Sequence, residues 1–297
     1  MARGAVGNSK EAGEAHSWKR RATSVSRLSH SYPVVPGHEF YGEVVDAGAD
    51  VGRDRIGRWV TVDPNMPCRS CSECRRGRSN LCERYQALGI TTHGAAAEFV
   101  AVPAELAYDL PAEISDAGAL LTEPLVCAIH GLDVLPRHPQ DRYLVYGAGT
   151  MGLLMGMLAA DMSSEPVMVV EPNAVRRSLA ESLGLRGVAS FDHLDPDARW
   201  ESVVDCTGVV EAIEDGLGRV RRGGVFQCFG VTESDALVKL RPFDVYRNEV
   251  TIVGSMAIQN SFDRAHRLTT AGLFPPLTVA LAFLSFGTAT LGSGSGF

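Results

Sequence analysis

Four cysteines crowd into one short stretch, Cys68-x-x-Cys71-x-x-Cys74-x7-Cys82. Thiolates at that spacing can close around a single ion, and four sulfurs in a tetrahedron are the donor set of a structural zinc site. The interleaved Arg69, Arg75, Arg76 and Arg78 favour thiolates and offset the negative charge that zinc retains when four of them bind it. Pro67 and Gly77 supply the turns. An iron–sulfur cluster is the competing reading of the same cysteines. A closed four-ligand site leaves no position for a substrate, so this motif speaks to folding rather than to reaction.

A second constellation is Gly147-Ala148-Gly149-Thr150-Met151-Gly152, which follows the apolar run "RYLVY" and opens a helical pattern. That strand-to-helix context is the one in which such glycines bind a dinucleotide. Gly147 makes the tight turn, Gly149 lets a pyrophosphate approach the backbone, and Gly152 permits close helix–strand packing. Thr150 and Met151 open the helix, whose N-terminus faces the phosphates. Glu171 ends the next strand, nineteen residues after Gly152. A carboxylate there can accept both ribose hydroxyls of the adenosine half and repel a 2′-phosphate, which favours NAD over NADP. Arg176 and Arg177 act against that preference, because an arginine can meet a phosphate. Cys206 and Thr207 close a later strand and, with Gly230 and Ser255, fall where a nicotinamide pocket would be lined, beyond the carboxyl ends of the strands.

The elements that must position these groups follow from pattern. At 297 residues the chain has room for two domains, and 45% hydrophobic with 21% charged residues is a globular composition. A net charge of −7 argues against nucleic acid or an anionic membrane as partner. The apolar stretch around Leu277–Phe286 is too short to span a bilayer. Residues 1–30 show neither a signal-peptide pattern nor periodicity and read as a disordered tail; the cysteines then belong in a reducing compartment, the cytoplasm. From 31 to 125, short strands punctuated by glycine and proline suggest a β-rich domain that carries the cysteine lobe at 67–83. Ser115 is the expected N-cap of a helix over 115–135. Strands and helices then alternate from 126 to 259, as in a parallel sheet covered on both faces. Cys127, Cys206 and Cys228 sit in apolar stretches and read as buried small hydrophobes.

A four-cysteine lobe in a β-rich domain, followed by a Rossmann pattern, resembles the zinc-dependent medium-chain alcohol and polyol dehydrogenases, sorbitol dehydrogenase among them. The likeness rests on "GHEFYGEVVDAG" at 37–48, the four cysteines, "GAAAEFVAVP" at 94–103, "EPLVCAIH" at 123–130 and "GAGTMG" at 147–152. It implies a GroES-like catalytic domain joined to a doubly wound NAD-binding domain, with residues 260–297 returning to the first. It also implies a second zinc that polarises a substrate hydroxyl before hydride passes to the nicotinamide, with His38, Glu39 and Glu123 as its ligands. His130 would be a packing residue. The implied substrate is a small alcohol or polyol, and the implied assembly a homodimer or homotetramer through the Rossmann sheet edge.

The chain departs from that family at both ends. The family's first catalytic ligand is a cysteine well upstream of "GHE", whereas the first cysteine here is Cys68. The Ser/Thr and His that relay the substrate proton are absent too, and "GHE" comes early, so the GroES-like domain is expected to be incomplete at its N-terminus. Gly272–Phe297, free of charge, is atypical of the family's closing segment. Three readings stay open: an enzyme whose ends were altered by a wrong start and a frame change, a catalytically silent NAD-binding protein, or an enzyme using His38, Glu39, Glu123 and water.

Overall fold

The computed structural model describes residues 3–11, 33–136, 138 and 140–272. The chain divides into two compact units, one of Met1–Cys68, Arg84–Glu123 and His266–Phe297, the other of Arg69–Glu83 and Pro124–Ala265.

In the first unit, strands β1 (Arg3–Glu11), β2 (Phe40–Ala47), β3 (Trp59–Val62), β6 (Phe99–Pro103) and β7 (Ala107–Asp109) form an antiparallel sheet in the order β6-β1-β2-β3-β7. The short strands β4 (Asn65–Met66) and β5 (Gln86–Ala87) pair separately. In β6 exposed and buried residues alternate, with Val100 and Val102 turned inward. They meet Phe40, Val44, Val60 and Val62 in one apolar cluster. One face of this sheet therefore supplies a core, as the period-two pattern requires.

The expected disordered tail over 1–30 is corrected for Arg3–Glu11, which is β1. It pairs with β2 through Gly4 and Ala47 and with β6 through Gly4 and Val102. The sheet thus has a strand preceding "GHE". The stretch lacks apolar alternation, so its sequence carries no strand signal. Backbone N–H and C=O groups pair whatever side chains flank them, and β2 and β6 present such groups on facing edges. The remainder of the expected tail lies outside the described residues, as does 273–297.

A glycine cradle holds the turn before β2. Gly37 has φ 101°, and its carbonyl accepts from Ala95 N–H at 3.0 Å while Gly94 N–H donates to Val35 O at 2.8 Å. A Cβ on Gly94 would lie 2.1 Å from Gly37 O, a collision no real contact tolerates. Backbone meets backbone here because no side chain intervenes.

The second unit holds a six-stranded parallel sheet in the order β10-β9-β8-β11-β12-β13. Its strands are β8 (Tyr143–Tyr146), β9 (Met168–Val170), β10 (Arg186–Val188), β11 (Trp200–Asp205), β12 (Val220–Cys228) and β13 (Thr251–Gly254). All of β8 is buried, as befits a strand covered on both faces. Helices α3 (Thr150–Ala160), α4 (Ala174–Ser182) and α5 (Val210–Arg219) follow β8, β9 and β11, and α6 (Pro242–Asn248) precedes β13. Strand order reverses between β8 and β11, the place where such sheets bind ligands. Sequence reading missed β10, α6 and α7 (Phe262–Thr270) because the first two are too short to show a period.

Helix α2 (Asp116–Asp133) starts as expected, with Ser115 Oγ accepting from Gly118 N–H at 3.1 Å. The division between the units falls within it, at Glu123 and Pro124. The expected boundaries kept the whole cysteine lobe in the first domain, but Arg69–Glu83 groups with the second unit. Two hydrogen bonds join it to that unit, Asn80 Nδ2 to Met256 O at 3.0 Å and Gln259 Nε2 to Gly77 O at 2.7 Å. Neither tether is visible in a sequence pattern.

Replacing Gly94 with Ala forces the cradle apart and should cost about 1–3 kcal/mol. A urea midpoint equal to that of the unaltered chain would show that this contact does not hold the turn.

Candidate functional site

The four lobe cysteines come together. Their Sγ atoms all lie within 4.8 Å of one another, and Cys71 and Cys82 are 3.9 Å apart. A zinc–sulfur bond of about 2.3 Å in a tetrahedron places sulfurs about 3.8 Å apart, so the donor set and its spacing fit zinc. Cys71 also caps the short helix α1 (Ser72–Arg75), its sulfur accepting from Cys74 N–H at 3.5 Å. A guanidinium reaches a sulfur from Arg84, whose Nη2 is 3.3 Å from Cys68 Sγ. Sequence reading assigned that charge balance to the arginines inside the lobe. Of those, Arg75 donates to Ser70 O at 2.6 Å and Arg76 pairs with Glu73 at 3.2 Å. Arg84, just beyond the last cysteine, was missed because nothing in the spacing distinguishes it.

A second cluster joins distant parts of the sequence. His38 and Glu39 immediately precede β2, and Glu123 lies in α2, yet one ligand atom from each falls within 4.8 Å of the others. His38 Nε2 is 3.9 Å from Glu39 Oε1. Burial lowers the His38 pKa to about 4, so its imidazole is neutral at pH 7, the form that ligates a metal. Glu123 is buried as well. One imidazole and two carboxylates suit zinc with a position left over for water or substrate. His130, two turns further along α2, takes no part: it is buried with Nε2 3.5 Å from Asn80 Nδ2, and burial depresses its pKa.

The glycine loop sits between β8 and α3. Gly147 has φ 93°, a left-handed conformation that favours glycine, and a Cβ on Gly152 would lie 1.9 Å from Gly147 O. Gly149 differs, because a Cβ there would meet nothing within 4 Å. Packing within the chain does not require glycine at that position; a ligand approaching the backbone would. Thr150 is the first residue of α3, and Met151 is half-buried beside it. Thr207 packs on Gly147, its Cγ2 2.9 Å from where a Cβ would stand, and Cys206 lies near Gly152. The Asp205 carboxylate holds this turn through Thr207 N–H at 3.0 Å and Gly208 N–H at 3.0 Å. Burial and that carboxylate push the Cys206 thiol well up, so it stays protonated.

Glu171 is buried just after β9, and its carboxylate accepts three hydrogen bonds within the chain. Ala148 N–H donates to Oε2 at 2.8 Å, while Asn173 N–H at 2.8 Å and Arg176 Nη2 at 2.9 Å donate to Oε1. Gly230 packs against Thr207 and Gly208, whereas Ser255 lines a cavity of about 410 Å³ with Asn80 and His130. The expectation of three buried thiols is corrected: Cys127 and Cys206 are half-buried and Cys228 is exposed, since β12 ends at the rim of the sheet.

Comparison with known proteins defines the class. The profile for the alcohol dehydrogenase GroES-like domain matches residues 14–112, and that for the zinc-binding dehydrogenase matches residues 150–271. D-altritol 5-dehydrogenase of Agrobacterium fabrum is 33% identical over 245 residues, 79% of this chain and 71% of that protein. D-arabinitol dehydrogenase 1 of Uromyces fabae is 31% identical over 246 residues, 79% of this chain and 70% of that protein. A zinc-binding dehydrogenase from Sinorhizobium meliloti, solved with NADP, superposes with a TM-score of 0.81 at 28% identity, covering 92% of this chain and 81% of that one. An Escherichia coli alcohol dehydrogenase complexed with NADH, at 22% identity and a TM-score of 0.82, shares the fold over 97% of this chain and 89% of its own. The chain therefore belongs to the zinc-dependent medium-chain alcohol and polyol dehydrogenase family. It is an oxidoreductase of a family that uses zinc and a nicotinamide dinucleotide and acts on a small molecule.

Exchanging Cys71 for Ser should lower zinc content by one ion per chain and lower the thermal midpoint. Unchanged zinc by mass spectrometry of the metal would show that the lobe does not hold it.

Proposed function

We propose that this chain oxidises a secondary hydroxyl of a polyol and passes the hydride to NAD. The observation that carries the reading is the convergence of His38, Glu39 and Glu123, two sequence-distant segments meeting in one small donor set. The named activities of the relatives on D-altritol and D-arabinitol support a polyol as substrate. Zinc held by these three side chains would supply Lewis acidity toward the substrate hydroxyl. His38, kept neutral by burial, offers a lone pair rather than a proton. Glu39, with 32% of its side chain exposed, would take the hydroxyl proton and pass it to water through the carboxylate oxygen that does not hold the ion. Bound NAD would supply the acceptor for the carbinol hydride, the substrate becoming a ketone. Gly147, Gly149, Thr150, Met151 and Gly152 receive the pyrophosphate, Glu171 and Arg176 bound the adenosine ribose, and Cys206 and Thr207 flank the loop.

A second reading keeps NAD binding and the structural zinc but no turnover. It is favoured by one fact, that no cysteine precedes Cys68 to complete the family's catalytic ligand set.

Val231, Leu237, Phe243, Tyr246 and Ile252, between the end of β12 and β13, are exposed apolar side chains, and a second copy packed against this segment would give a homodimer or homotetramer. Among the described residues no helix is long and apolar enough to cross a membrane. With no disulfide among the described cysteines, the cytoplasm is the proposed compartment.

Incubation with NAD and a panel of pentitols and hexitols should raise absorbance from NADH, with two zinc ions per chain. His38→Ala and Glu123→Gln should each remove the second ion and lower kcat/KM on the order of 100-fold or more. One zinc and no turnover on the whole panel would leave the silent reading standing instead.

A further inference from the structure

Gathering four thiolates around one ion leaves surplus negative charge, and a cation that touches a sulfur lowers the cost of holding it there. The lobe does not treat its four sulfurs alike. Cys71 and Cys82 are buried, whereas Cys68 and Cys74 are half-buried, so a reagent from solvent meets one of the latter pair first. Cys68 is also the sulfur on which a guanidinium rests, Arg84 Nη2 donating to its Sγ at 3.3 Å. Arg84 is itself exposed, which puts this contact at the surface of the lobe. Cys71 receives a donor of another kind, the backbone N–H of Cys74 at 3.5 Å, which brings no full charge. Two arginines inside the lobe are turned to oxygen instead, Arg75 to Ser70 O at 2.6 Å and Arg76 to Glu73 at 3.2 Å. A cation beside a cysteine favours its thiolate and at the same time lowers the nucleophilicity of that sulfur.

Resting on the reading that the four cysteines hold zinc, we propose that Arg84 clamps Cys68 as a ligand and screens its sulfur, so that the lobe opens at Cys68 once this contact is lost. Arg84 is a positioning residue, acting on the ion through the sulfur it touches. Without it, a half-exposed thiolate keeps more electron density and loses its nearest compensating charge. A haloacetamide then reacts at that sulfur. The sulfur bonds to the reagent's methylene carbon, the carbon–halogen bond breaks, and halide leaves. The product is a neutral thioether where a thiolate stood, and the thiolate is the form that binds the metal.

The test is zinc transfer from the full-length, zinc-loaded chain to the coloured chelator pyridylazoresorcinol, the lobe's ion being the phase missing from Cys71→Ser. Arg84→Ala should speed that phase about tenfold, the low end of what an outer contact to a metal ligand is worth. Arg84→Lys should recover part of the loss, because it restores the charge without the planar fork. Arg75→Ala removes the same charge but no sulfur contact, and should leave the rate within about twofold. A brief pulse of iodoacetamide, read by peptide mass spectrometry, should label Cys68 relative to Cys74 more strongly in Arg84→Ala than in the unaltered chain. Circular dichroism checks that each variant is folded. Equal zinc transfer with and without Arg84 overturns the inference. So does equal acceleration by Arg75→Ala, or a labelling ratio that does not move. A folded chain that takes up no zinc in the lobe, by mass spectrometry of the metal, overturns the four-cysteine reading itself, a result distinct from zinc that is bound but insensitive to Arg84.

Discussion

Backbone lying against backbone at van der Waals distance is the constraint on which both candidate sites depend. Gly94 rests on Gly37 so closely that a single Cβ would stand 2.1 Å from a carbonyl oxygen, and Gly152 rests on Gly147 at 1.9 Å by the same measure. The first contact aims His38 and Glu39 toward Glu123. The second brings the N-terminus of α3 up to the end of β8 and shapes the loop. Neither contact contributes much energy by itself. Each removes the slack that would let functional groups drift, and close packing of the neighbouring cores then holds the arrangement.

Burial sets the chemistry of the groups so positioned. His38 is neutral because its surroundings exclude the charged form, and a neutral imidazole is what a metal needs. The same exclusion keeps the Cys206 thiol protonated beside Asp205, which makes it a wall of the loop rather than a nucleophile. Glu171 is buried too, but there a guanidinium and two backbone donors compensate the charge. Loss of solvent governs His38 and Cys206, whereas Glu171 is held by donors within hydrogen-bond reach.

The cysteine lobe separates folding from reaction. Its four sulfurs face one another and leave no open coordination position, while Asn80 and Gln259 tie it to the second unit through backbone carbonyls. His38, Glu39 and Glu123 bring together three donors where the lobe brings four.

Local spacing made the cysteine lobe, the glycine loop and the alternation of strands and helices legible from the amino-acid order alone. These features repeat at short range, and their physics is local: ligand reach, turn geometry and the periodicity of apolar residues. Ser115 as N-cap belongs with them, since its partner lies three residues away. Other features depended on partners far apart in the chain. Strand β1 has no apolar alternation and exists because β2 and β6 offer it hydrogen bonds on both sides. Arg84 reaches Cys68 across a fold of the lobe, and Cys228 is exposed because its strand ends there. Glu171 was recognisable as the carboxylate that closes a strand, but its seating under Arg176 and Ala148 was decided only in three dimensions. Hydrogen bonds between elements depend on where backbones come to rest, and sequence order does not encode those distances.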